Sequence, residues 1–105
     1  MAYHLVRVEC GPAWDASRPR REQAGWAQHA AYLDRLADHG VVVLGGPVGD
    51  VDTGDAVLVV DAYDEAAVLA LLAGDPWLGS VLTIKSVEPW TIWLRAAHPE
   101  VELAG

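Results

Sequence analysis

Apolar and polar positions alternate from Tyr3 to Cys10, with Leu5, Arg7 and Glu9 on one side and Val6 and Val8 on the other. That period of two predicts a strand. Gly11 to Arg21 contains Pro12 and Pro19 and has no period, so it reads as a loop. From Glu22 to His39 the period changes: Trp26, Ala30, Leu33 and Ala37, with Leu36 beside them, form one helical stripe, and Gly40 closes the helix as a left-handed cap. The β-branched run Val41 to Leu44 predicts a second strand, ended by a bend at Gly45-Gly46-Pro47. An acidic turn, 48–54, leads to a third strand at Ala56 to Asp61. Asp64 is suited to cap a second helix, with Glu65 at its positive end, Val68, Leu71 and Leu72 as its buried stripe and Gly74 as its stop. Asp75-Pro76 cannot continue that helix, because the residue before proline avoids helical geometry. Val81 to Leu94 predicts a long last strand, broken or bulged at Pro89.

Strand, helix, strand, strand, helix, strand is the order of an α+β, ferredoxin-like βαββαβ protomer. One domain is expected over 1–95, with a polar tail over 96–105. Two helices cover only one face of a four-stranded sheet. The other face, rich in Trp and β-branched residues, needs a second cover, and in a short chain a homodimer is the expected one.

Composition narrows the partners. At 105 residues, with 52% hydrophobic and 21% charged, the chain is a globular domain and not a disordered one. No apolar run approaches the roughly 20 residues of a membrane span, and the first residues enter a strand with no leader pattern, so a cytoplasmic protein without a membrane partner is expected. Fifteen acidic residues against seven basic ones give a net charge of -8, which disfavours nucleic acid. The one cysteine, Cys10, forms no intramolecular disulfide and is expected to be a small buried hydrophobe. His4, His29, His39 and His98 lack metal-ligand spacing, and the Asp50 to Asp55 turn departs from a calcium loop. No phosphate loop follows Gly45-Gly46-Pro47, so neither metal nor cofactor is expected.

Five short segments carry a resemblance: H-A-A-Y-L at His29 to Leu33, G-V-V-V-L-G-G-P at Gly40 to Pro47, V-L-V-V-D-A at Val57 to Ala62, G-D-P-W at Gly74 to Trp77 and V-E-P-W at Val87 to Trp90. In register over Tyr3 to Trp93, they resemble the YCII-related domain family. The resemblance implies a dimeric α+β barrel with a pocket on the open sheet face, and an active site made of a helix histidine and the aspartate of the Asp-Pro motif. These fall on His29 and Asp75. Trp77 stands where the family often has phenylalanine, which narrows the pocket or changes what stacks in it. Arg18, Arg20 and Arg21 either clamp a carboxylate or are the solvated charges of a loop entering the helix; the family often has an arginine shortly before the histidine, which favours Arg21 among them.

The pair has its own chemistry. Histidine, with an ordinary pKa near 6.5, gives and takes protons near neutrality, and a carboxylate on one ring nitrogen leaves the other for substrate. The expected function is a cofactor-free acid–base enzyme acting on a small cyclic or aromatic molecule by elimination, isomerisation or hydrolysis. The alternative is a non-catalytic binding or interaction module in which His29 and Asp75 are structural, a helix histidine and a turn cap. Arg7 and Glu9 are candidates to line the pocket and bind an anionic or phenolic group, or to form a salt bridge or dimer contact. Gly46 and Pro47 serve a backbone bend, or offer an amide to the ligand. Trp77, Trp90 and Trp93 are expected in the core or an interface before serving as stacking platforms.

Overall fold

The computed structural model describes residues 2–53 and 55–96. The alternating segment is strand β1, Tyr3–Cys10, and a single 3-10 turn, Arg20–Glu22, follows it. Then come α1 (Trp26–Asp38), β2 (Val42–Pro47), β3 (Ala56–Asp61), α2 (Glu65–Leu72) and β4 (Leu82–Pro89). The strands form one antiparallel sheet in the order β2-β3-β1-β4, the α+β arrangement of a ferredoxin-like fold. The tail expected over 96–105 lies outside the described residues from 97 onward.

Register decides which side chains share a face. Val6 lies opposite Leu58 and Val87, and Val8 opposite Ala56 and Ile84. With Val60, Val68, Leu72, Trp77 and Leu82 they build the core between sheet and helices. Leu5, Arg7, Val57 and Val59 point to the opposite face. The Asp64 carboxylate accepts from the Ala67 amide at 2.8 Å, as a cap should, and Gly40 ends α1 at φ 76°.

Four local expectations are corrected. The helix begins at Trp26, not Glu22, because Gly25 takes φ 81° and breaks the chain away from the preceding 3-10 turn. Gly45-Gly46-Pro47 is strand, not bend: β2 is an edge strand, where proline is tolerated, and its register shifts between Val42 and Leu44. A Cβ on Gly45 would sit 2.5 Å from Leu58 Cδ2, so the glycine allows close strand packing. Gly74 has no positive φ; a Cβ there would meet the Tyr32 hydroxyl, which donates to the Leu71 carbonyl and ties α1 to α2. The last strand stops at Pro89, after which Trp90 donates once to the Tyr3 carbonyl at 2.9 Å.

Leu72 is fully buried at the centre of this core, whereas Leu69, three residues earlier on α2, is 41% exposed. Leu72→Ala is expected to cost about 2–5 kcal/mol in urea unfolding. Leu69→Ala is expected to cost roughly 1 kcal/mol or less.

Candidate functional site

The underside of α1 places a polar ring where its periodicity calls for an apolar one. His29 lies between Trp26 and Leu33 on the inward stripe and is only 6% exposed. A buried ring of this kind must be hydrogen-bonded. Its Nδ1 lies 2.9 and 2.8 Å from the two carboxylate oxygens of Asp75, which sits just beyond the end of α2. A carboxylate only accepts, so Nδ1 carries the hydrogen and donates it. In the neutral ring the lone pair is then on Nε2.

Asp75 is fixed in turn. Its backbone N–H donates to the Leu72 carbonyl, and its Oδ1 accepts from the Trp77 amide at 2.9 Å. That short Asx turn puts the Trp77 indole against the imidazole, with centroids 4.0 Å apart and planes 11° from parallel. Trp77 Nε1 donates to the Ala24 carbonyl at 2.8 Å, anchoring the stack to the start of α1. Trp26 packs obliquely on both rings, at 5.7 Å from His29 and 5.6 Å from Trp77.

Beside His29 opens a cavity of about 550 Å³ between α1 and the sheet, within the range of small-molecule sites. Small residues leave the room: Ala30 and Ala37 on the helix, and Gly45, Gly46 and Ala56 on the strands. His29, Asp75, Arg21, Gly46 and Pro47 all line it. The cavity is therefore on the helix-covered face, and not on the open face that the resemblance implies. Arg7 and Glu9 do not line it. β1 alternation turns them to the far side, where the Arg7 Nε bonds Glu88 at 3.1 Å across half-exposed side chains and Glu9 is exposed. Trp77 does not line it either; it backs the imidazole from the core, 1% exposed. Cys10 is exposed, not buried as expected: the alternation puts it on the side of Val6 and Val8, but it is the last residue of β1, at the end of the sheet.

Arg20 is the residue that sequence reasoning passed over. It is 6% exposed, lines the cavity, and donates from Nε to the Val51 carbonyl at 2.9 Å and from a terminal nitrogen to the Thr53 carbonyl. Its guanidinium also lies over the Trp14 ring, at 5.4 Å. Burial pulls its pKa below the ordinary arginine range, and Cys10, Asp52 and Asp55 oppose that shift. Adjacent arginines on a 3-10 turn point apart, and no pattern in the sequence says which one turns inward.

The family model of the YCII-related domain matches residues 1–91. The chain belongs to the YCII-related domain family. No curated protein matches it. The family's span ends where the sheet does, just past β4, so all the residues around the cavity fall within it.

Asp75→Asn tests the geometry. Asparagine can keep an oxygen on the Trp77 amide only by turning its NH₂ toward His29 Nδ1, which must then accept, so the ring proton moves to Nε2. Ring ¹⁵N chemical shifts are expected to report that change of tautomer, with a loss of about 1.5–3 kcal/mol in stability. An unchanged tautomer means that Asp75 does not orient the ring.

Proposed function

We propose that this YCII-related protein is an enzyme that moves protons with its own side chains on a small cyclic or aromatic molecule. The observation that carries the reading is the His29 ring, held by Asp75 on Nδ1, in the wall of a cavity large enough for such a molecule. Nε2 takes a proton from carbon or oxygen and returns it to a leaving group or to another position, which covers elimination, isomerisation and hydrolysis. The Asp75 carboxylate stabilises the imidazolium that forms in between, and positioned acid–base groups of this kind contribute about 10²–10⁴ in rate. Arg21, at the cavity, is placed to meet an oxygen of the substrate, a role that Arg7 on the far face cannot fill.

A second reading rests on the same contacts. Asp75 and Trp77 join α1 to the α2–β4 connection, so the network also serves a ligand-binding module in which His29 is purely structural. Turnover of nitrobenzisoxazole separates the two, since this small aromatic probe opens its ring when a base takes its C–H proton. The native protein is expected to accelerate the opening over buffer, and His29→Gln to lose about 10²-fold or more of that acceleration while melting as a folded protein. Equal rates with only a lowered Tm favour the module.

The open sheet face supports a homodimer. Leu44 on β2 is 68% exposed, and Trp93 and Leu94, beyond the end of β4, are 88% and 93% exposed. A second copy is the simplest cover for such a surface. Light scattering at micromolar concentration is expected to give twice the chain mass, and a monomer mass would refute the dimer.

A further inference from the structure

The polarity of the cavity is uneven, and its cationic end coincides with its reactive end. Arg21 lines the cavity with its guanidinium 5.7 Å from the centroid of the Trp26 ring, and among the described residues it forms no ion pair. Arg20 lines the same cavity, hydrogen-bonded to the backbone carbonyls of Val51 and Thr53, and Asp52 and Asp55 offset part of its charge, so the free positive charge there is that of Arg21. The nearby N-terminus of α1 adds to this. Gly25 offers it no side-chain cap and its first turn has no acidic residue, whereas α2 has both the Asp64 cap and Glu65. In a chain of net charge -8, this end of α1 has been left positive.

The other carboxylates that line the cavity do not cancel the charge of Arg21. Asp75 is engaged with His29, and Asp34 lines the cavity eight residues along α1 from Trp26, about 12 Å away by helical rise. Between the two ends the wall is apolar, formed by Val8, Leu33, Leu58 and Leu82. We infer that the ligand is a small organic anion, with an aromatic or cyclic body against the apolar wall and one carboxylate at Arg21, its reacting position facing His29. The inference rests on the acid–base reading of the cavity and adds the charge of what enters it. An arginine fork matches a carboxylate in geometry as well as in charge.

Sodium benzoate and benzamide, alike in shape and different in charge, test it by NMR titration of labelled protein. Benzoate is expected to shift the His29 and Arg21 side-chain signals, with benzamide binding at least roughly tenfold more weakly. Arg21→Gln should abolish that difference, while Arg35→Gln, on α1 but outside the cavity, should preserve it. Equal affinity for the two probes, no benzoate binding at millimolar concentration, discrimination that survives Arg21→Gln, or shifts centred on Arg95 and Tyr3 would each overturn the inference. Because binding is read without turnover, an anion preference in a protein that fails to open nitrobenzisoxazole upholds the anion site and removes only the acid–base reading.

Discussion

The structure turns on one buried carboxylate. Asp75 is 4% exposed, and an ion taken that far from water is tolerated only when it is paired and hydrogen-bonded. It takes the Nδ1 hydrogen of His29 and the amide of Trp77. Meeting that requirement brings together three parts of the chain: the first turns of α1, the end of α2 and the approach to β4. The ring that satisfies the carboxylate is thereby held against the Trp77 indole, and the indole against the Ala24 carbonyl. The imidazole is left with one nitrogen committed and little rotational freedom.

What could be read from sequence divides along the range of the forces involved. The Tyr3–Cys10 strand, the Asp64 cap and the Gly40 stop follow from a few neighbouring residues, and the structure has all three. Gly45-Gly46-Pro47 carries the local signature of a bend, yet pairing with β3 holds it extended, and Leu58 against Gly45 shows why no side chain is there. Gly74 has the signature of a helix stop, but the space it leaves is occupied by Tyr32, a residue 42 positions earlier. Such long-range packing leaves no mark in a local window.

The site shows the same division. His29 and Asp75 stand 46 positions apart, and no spacing rule joins them; they were brought together by the family motifs, and the contact between them is now a distance. The alternation of β1 correctly set Arg7 and Glu9 apart from Val6 and Val8. Which face holds a cavity is not set by that alternation: the cavity beside His29 lies on the other face, and Arg7 takes the salt bridge that was its alternative role. The choice between Arg20 and Arg21 depended on the path of the 51–53 turn: both arginines line the cavity, and the carbonyls of that turn hold Arg20, while Arg21 has no ion pair among the described residues.

The placement of the pair bears on why it is there. A buried ion pair is weak evidence for stability, since well-packed apolar residues of similar volume often serve as well or better. If joining α1 to the α2–β4 connection were the only requirement, Tyr32, bonded to the Leu71 carbonyl, and Trp77, bonded to the Ala24 carbonyl, already do it with neutral groups. The histidine and aspartate add no further element to that network. What they add is a basic nitrogen of fixed orientation in the wall of a cavity, beside an arginine with no ion-pair partner among the described residues. A structural role accounts for the burial of the pair. It does not account for the pair lying in the wall of the cavity, and the acid–base reading accounts for both.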